Sequence, residues 1–462
     1  MLSGMERGAV SLFASRTFPA VPLFAADERC ESTDGVSNKM MKGPLRILLW
    51  SPKGSSTSFY GGPPIASYRL YRQRQESEIS VSLAHGARLQ PPHPEVFDTQ
   101  TLIYPLRHPN NARNGVMSGA NVFASLIDTV PGGPATEEVV RKIQFVRHAG
   151  AWLRQNVQRF DVFHGMGVHT TTLDPAMRAL SLGLPTVLTT VIEGELVQPS
   201  RFAWLTGIHA RRLALLRRAT AIVAISGEIR NRLLEIGVPE EKIVELPVCG
   251  VDTEAFRPPG NECKIQLRKA LGLSAAPMCL FAGTILERKR PHLLVPAMAE
   301  LKRRGIEAQV VLAGPKHDEG YAIQMLHEAE CLGVSDRVIW YGFTQKMDEL
   351  MRAADVLALP SSDEGLPGVI MEAMASAVPC VYTDISGARD LIDDGLNGRI
   401  IAADGGGLGE ALAHYLGHLE HAAEHGAQAR QKAVNKFSNA AVFKKYLAVF
   451  DNVRNGRLPT AL

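Results

Sequence analysis

From residue 46 to residue 450, short runs rich in Val, Ile and Leu alternate with stretches whose apolar positions recur at helical spacing. Residues 46–50 (RILLW) predict a buried strand, followed by a Gly/Ser/Pro loop (SPKGSSTSFYGGPP) and a helix from Ile65 onward. Further strands are predicted at 79–83, 160–163, 186–192 and 221–225. Residues 136–160 show the clearest amphipathic pattern: Val139, Ile143, Val146, Trp152, Leu153 and Val157 recur at helical spacings. Glu137 and Glu138 fall in its first turn, where carboxylates complement exposed N–H groups. Ser226 has the position of a helix cap and Gly237 that of a helix stop. Strands and helices alternating in this way specify a parallel sheet covered on both faces.

The alternation breaks at residues 256–274, where Pro258, Pro259 and Gly260 precede a short charged helix, and then restarts. Strands are predicted at 278–282, 308–312, 337–341, 356–359 and 378–383. The expected fold class is therefore α/β, with two Rossmann-like parallel-sheet domains facing each other across a cleft. The first spans 44–256, a hinge covers 257–274, and the second spans 275–436. Residues 437–450 predict a helix, apolar on one side, that bridges or closes the domains before a tail to 462. Residues 1–43 hold no sustained period and are expected to be disordered, or to lie upstream of a true start at Met40 or Met41. A signal peptide is disfavoured, because Arg16 cuts the apolar segment AVSLFA short and no convincing cleavage site follows.

Composition narrows the function classes. A formal charge of +3 over 462 residues makes no case for nucleic acid. No apolar run reaches the roughly 18–20 residues of a membrane-spanning helix. The six cysteines are scattered without a C-x-x-C pair, which fits buried thiols in a reducing cytoplasm and suggests neither disulfides nor a zinc site. One segment qualifies a purely cytoplasmic location. In residues 201–218, Arg211, Arg212, Arg217 and Arg218 surround Leu213, Leu215 and Leu216. Such a helix is either peripheral at the cytoplasmic membrane face or solvated, with its leucines in the core.

Two stretches carry candidate chemistry. In residues 359–398, Glu364 and Glu372 stand eight positions apart, with Gly365, Pro367 and Gly368 after the first acid. Glycine lets a backbone approach a ligand closely, and a helix starting near Pro367 presents N–H groups. Carboxylates accept hydrogen bonds from hydroxyls, which suits ribose or sugar. In residues 281–298 a strand ends at Gly283, and Arg288, Lys289 and Arg290 precede the next helix, an arrangement suited to a phosphate or diphosphate. Taken singly, these are a solvated basic turn and two surface glutamates. Together they match a diphosphate with a polyol at each end, as in a nucleotide sugar.

The segment EGLPGVIMEAMASAVPCV resembles the E-x7-E motif of the retaining, GT-B fold group 1 glycosyltransferases. The resemblance extends to the loop at Gly61 and Gly62, to FDVFHG, AIVAISGEI and PVCGVDTEAF, and to GTILERK. It implies that Glu372 binds the donor ribose and that Glu364, with the Gly365 and Leu366 backbone, holds the donor sugar. It implies catalytic roles for Arg288, Lys289 and Glu364, the two cations neutralising the diphosphate as it leaves, with Gly283 and Thr284 also on the donor. Gly61, Gly62 and His164 fall on the acceptor side. Two departures stand out: Thr284 replaces the Arg of many relatives, and Met166 occupies the second of two alternate histidine positions. His164 is thus either an acceptor-side group or a neutral histidine packed beneath the cleft.

The implied reaction moves a hexosyl unit, with retention, from a nucleotide diphosphate sugar to a hydroxyl of a glycan, lipid-linked or small-molecule acceptor in glycan or glycoconjugate biosynthesis. With no D-x-D triplet in the chain, neither a metal nor a cofactor beyond the donor is expected. A nucleotide-sugar epimerase on the same fold is the rival enzyme, and His164 and Glu193 are its candidate acid/base groups. A non-catalytic nucleotide-sugar or glycan-binding module is disfavoured by the intact Arg288, Lys289, Glu364 and Glu372. Hydride transfer is poorly supported, because the nearest approach to G-x-G-x-x-G is Gly165, Gly167 and then Thr170.

Overall fold

The computed structural model describes residues 43–50, 70–71, 79–84, 149–168, 170–190, 208–260, 262–316 and 318–459. A first sheet is built from β1 (Leu45–Trp50), β2 (Ile79–Ala84), β3 (Val162–Met166), β4 (Thr186–Thr190), β5 (Ala221–Ala224) and β6 (Ile243–Glu245). Its order is β2-β1-β3-β4-β5-β6 and every pairing is parallel. Helices α1 (Thr170–Ser181), α2 (Ile208–Arg218) and α3 (Gly227–Glu235) connect its later strands. The residues of β3, β4 and β5 are buried on both faces, which is why they read as continuous apolar runs without alternation.

The second half opens with α4 (Lys264–Ala270) and continues with β7 (Met278–Ala282), α5 (Leu294–Arg303), β8 (Gln309–Ala313), α6 (Glu319–Cys331) and β9 (Val338–Gly342). It goes on through α7 (Met347–Ala353), β10 (Val356–Leu359), α8 (Gly368–Ala375), β11 (Cys380–Thr383), α9 (Ala388–Leu391) and β12 (Gly398–Ile401). Helices α10 (Leu408–Leu416), α11 (Leu419–Lys432) and α12 (Asn439–Arg454) complete the described chain. The second sheet is also parallel, in the order β12-β11-β10-β7-β8-β9.

Two parallel sheets with covering helices match the expected fold class. The strands β6 and β12 were not predicted; they are three and four residues long, too short to show a period. The strand expected at 160–163 starts later, at Val162, because Asp161 is occupied at its base. Its carboxylate accepts from the Arg46 backbone N–H at 2.8 Å and pairs with the Arg46 guanidinium. Ser226 caps α3, accepting from Ile229 N–H at 3.3 Å, and Gly237 follows the helix at φ 82°.

Helix α4, expected within the hinge, is fixed to the second half instead. Buried Arg268 pairs with buried Asp355, Lys264 reaches the same carboxylate at 3.3 Å, and Asp355 also accepts from Met278 N–H at 2.8 Å. The C-terminal helix returns to the first half. Val442, Phe443, Tyr446, Val449 and Phe450 of α12 are buried in the cluster that contains Ile47, Leu49, Val162 and Met166. The return point is a tight crossing: Val251 N–H donates to Phe437 O at 2.8 Å, and Asn439 N–H donates to Val251 O at 2.9 Å. A Cβ on Gly250 would lie 2.5 Å from Asn439 Cα, so no side chain fits there. Arg430 of α11 clamps the same crossing to the second half by donating to Thr253 O, Phe256 O and Ala375 O.

The leucine face of α2 points inward, with Leu215 and Leu216 fully buried. Arg212 donates to Val168 O at 3.0 Å, Arg211 pairs with Asp174, and Arg217 donates to Ile236 O at 2.8 Å. Leu215 and Leu216 are therefore part of the core. Among the described residues no helix is long and apolar enough to cross a membrane. Gly61, Gly62, His169, Glu193, residues 1–42 and the start of the 136–160 helix lie outside the described residues.

Candidate functional site

The order of the second sheet reverses between β7 and β10, which lie side by side with Val356 opposite Cys279 and Leu357 opposite Leu280. Connections leave such a pair in opposite directions, so the loops at their carboxyl ends part and open a crevice. The sequence candidates from both stretches fall on these two loops. After β7 come Gly283, Thr284, Arg288 and Lys289; after β10 come Glu364, Gly365 and Leu366.

The loops meet at Glu364. Lys289 Nζ donates to Glu364 Oε1 at 2.7 Å, Arg288 Nη1 lies 3.3 Å from the same oxygen, and Ser361 Oγ donates to it at 3.1 Å. Backbone contacts hold the loops in register: Ser362 N–H donates to Arg288 O at 2.8 Å, and the Arg288 guanidinium donates to Asp363 O. Arg290 sits in the left-handed region at φ 47° and ψ 42°, a conformation that costs a non-glycine residue about 1–3 kcal/mol. This turn divides the basic run. Arg288 and Lys289 go to the β10 loop, while Arg290 donates to Ala403 O at 2.7 Å. Gly283 follows β7 directly, its N–H donating to Ala313 O at 2.9 Å, and the Lys289 side chain folds over it. Thr284 follows, half-buried.

Helix α8 starts one residue after Pro367, which serves as its N-cap position, and Glu372 lies within it, buried to 8% exposure. A carboxylate so placed takes only partners that enter the crevice or surround the helix. The end of β11 supports the site. Thr383 Oγ1 donates to Ser361 O at 2.6 Å, and Tyr382 Oη donates to Ser386 O at 3.2 Å. Burial, reinforced by nearby Glu364 and Asp363, pushes the Tyr382 phenol well above its ordinary pKa, so it stays a neutral donor.

His164 is not at this crevice. It is fully buried in β3, with Nδ1 2.6 Å from Tyr71 Oη, Nε2 2.8 Å from Thr189 Oγ1, and its ring against Tyr446 and Phe450. Burial lowers its pKa to about 3, so it is neutral at physiological pH. Of the two sequence readings, the packed neutral histidine is the one observed. Sequence reasoning also missed Ser361 and the segment 384–390, a loop that runs into α9. Ser361 stands in LPSSDEG directly before Glu364, so that proximity was a usable signal; the role of the loop depends on contacts distant in sequence.

Comparisons show that the chain is similar to proteins named as glycosyltransferases. Residues 264–435 match the family described as Glycosyl transferases group 1, and residues 107–255 match Glycosyltransferase Family 4. Putative glycosyltransferase EpsF of Bacillus subtilis is 33% identical over 205 residues, covering 42% of this chain and 51% of EpsF. Lipopolysaccharide core biosynthesis mannosyltransferase LpsB of Rhizobium meliloti is 31% identical over 195 residues, covering 41% of this chain and 53% of LpsB. The chain thus spans about half the length of the curated relatives it matches. Among solved structures, Anabaena HepE in complex with UDP superposes with a TM-score of 0.63 at 17% identity, covering 87% of this chain and 98% of HepE. WaaG, a glycosyltransferase involved in lipopolysaccharide biosynthesis, superposes with a TM-score of 0.60 at 17% identity, covering 87% and 99%. At such identities the likeness establishes the fold.

Proposed function

We propose that this chain, which belongs to the group 1 glycosyltransferases of GT-B fold, transfers a sugar from a nucleotide diphosphate sugar to an acceptor hydroxyl with retention of anomeric configuration. The observation that carries the reading is the convergence of Lys289, Arg288 and Ser361 on the Glu364 carboxylate at the switch point of the second sheet. In this reading the diphosphate lies against Lys289 and Arg288, and the donor sugar against Glu364 and the Gly365–Leu366 backbone. The ribose hydroxyls pair with Glu372.

The bond between the anomeric carbon and the diphosphate oxygen breaks as the acceptor oxygen forms the new glycosidic bond on the same face. The acceptor proton passes to the departing diphosphate. Preorganised cations facing the charge that develops on the leaving group supply most of the rate, and positioning of the acceptor supplies the rest. The structures of HepE with UDP and with UDP-glucose make uridine diphosphate sugars the first donors to test.

An epimerase on the same fold is less well supported. Of its two acid/base candidates, His164 is a neutral core residue. The experiment is a panel of nucleotide sugars assayed for release of nucleoside diphosphate with and without sugar acceptors, the product's anomeric configuration being read by NMR. Release that an acceptor accelerates, with a retained linkage, is expected. Interconversion of the donor without any release would favour the epimerase.

A further inference from the structure

Across the cleft the start of α3 in the first half meets the segment of the second that follows β11, a loop leading into α9, which carries Asp390. Ser226 Oγ lies 3.1 Å from Ser386 Oγ, and the Asp390 carboxylate accepts from Gly227 N–H at 3.2 and 3.3 Å. The first N–H groups of a helix have no partner within it and attract negative charge. Here Ser226 supplies one acceptor from its own chain segment, to Ile229, and Asp390 supplies another from the opposite half.

The same loop is built into the donor side. Gly387 has φ 80°, and a Cβ there would lie 2.4 Å from Gly365 O. Ser386 O accepts from Tyr382 of β11, and Thr383, the last residue of that strand, holds the Ser361 that bonds Glu364. The end of β11 with the turn into α9 therefore joins the wall of the first half to the residues assigned to the donor sugar. Between them lies a cleft of about 650 Å³, walled by Glu228 and Asn231 on one side and by Asp363 and Asp384 on the other.

We propose that Asp390 is a positioning residue that sets the distance between α3 and the Glu364 loop, so that an acceptor in this cleft meets the donor sugar. The proposal rests on the cleft being the transfer site. It separates two properties: donor binding, which needs only the second half, and transfer, which needs both halves in register.

The test uses the full chain with Asp390→Ala, Asp390→Asn, Gly227→Pro and Gly227→Ala. Gly227 is the first residue of α3, where proline is accommodated because its missing N–H breaks no intrahelical bond. A Cβ at this position meets nothing nearer than 3.5 Å. Gly227→Pro thus deletes the donor, and its ring Cδ takes the place of the N–H hydrogen, so the Asp390 carboxylate is displaced as well. Asp390→Ala and Gly227→Pro should each lower transfer kcat at least tenfold while nucleotide-sugar affinity stays within about twofold. Asp390→Asn, which keeps an acceptor oxygen, should recover most of the loss, and Gly227→Pro should fall at least tenfold below Gly227→Ala. The double variant should be no slower than either single one.

Transfer within twofold of the parent in Asp390→Ala, or donor affinity falling in step with turnover, overturns the proposal. Small-angle X-ray scattering gives an arm that needs no substrate. The Asp390→Ala and Gly227→Pro particles should have a larger radius of gyration than the parent, and an unchanged radius in both rejects the clamp. If the parent protein transfers to no acceptor, the reading of function fails while the scattering arm still judges the clamp.

Discussion

At the scale of residues, the Lys289–Glu364 pair shows how two weak sequence signals become one site. A lysine in a basic turn and a glutamate in a glycine loop are separated by 75 positions, yet their charged atoms are 2.7 Å apart. Lys289→Ala leaves Glu364 with Arg288 and Ser361, so the loss of stability should stay at about 1 kcal/mol. Turnover should fall about 10²–10³-fold, as it does when a preorganised group that stabilises developing charge is removed. Steady-state kinetics beside thermal melting would check this, and an unchanged rate would remove Lys289 from the mechanism.

His164 yields a prediction of another kind. Its folded pKa of about 3 lies below the ordinary 6.5, so the unfolded chain binds the extra proton first. Its contribution to stability is complete above pH 6.5 and is lost as the pH falls toward 3, at about 1.4 kcal/mol per pH unit. Urea unfolding between pH 7 and pH 4 should show a shallower pH slope in His164→Gln than in the parent. Equal slopes would contradict the assignment. Glu364, Glu372, Arg288 and Lys289 were legible because their spacing and glycine context are local to the sequence. The burial of His164 was not, because Tyr71, Thr189 and the α12 pair Tyr446 and Phe450 reach it from three distant segments.

At the scale of elements, β7 and β10 owe their alignment partly to a charge at their base. Asp355 precedes β10, is almost fully buried, and serves Arg268, Lys264 and the Met278 N–H together. Asp355→Ala would strand the buried Arg268 guanidinium, and unfolding free energy should drop by about 3–5 kcal/mol. Denaturant titration measures this directly; a loss below about 1 kcal/mol would show that the pair is incidental. The ten longer or more apolar strands were readable from their runs. Strands β6 and β12 were not, since IVE and GRII gain strand character only from neighbours already in place. The helix near the C-terminus was readable as an element, but its partner was not. Only the crossing at Gly250 and Asn439 sends its Phe443, Tyr446 and Phe450 into the first half.

At the scale of the whole molecule, two parallel sheets and a returning helix place the crevice of the second half, the proposed donor site, against a wall from the first. Sequence pattern disclosed the two-sheet plan, because buried parallel strands are the strongest periodic feature of the chain. It did not disclose how the halves touch, because Asp390–Gly227 and Ser226–Ser386 join residues about 160 positions apart. In the absence of a D-x-D triplet, with Arg288 and Lys289 as the cations of the proposed site, transfer should survive EDTA. Complete loss that manganese restores would contradict that part of the account.

The central claim, that the loops after β7 and β10 with Glu372 form a nucleotide-sugar site, is tested most directly by calorimetric titration of the parent and of Glu372→Ala with uridine, guanosine and adenosine diphosphate sugars. The account predicts that at least one of them binds the parent saturably and binds Glu372→Ala at least tenfold more weakly, with the variant's fold intact by circular dichroism. Binding of none of them to the parent, or equal binding to the two proteins, would contradict it.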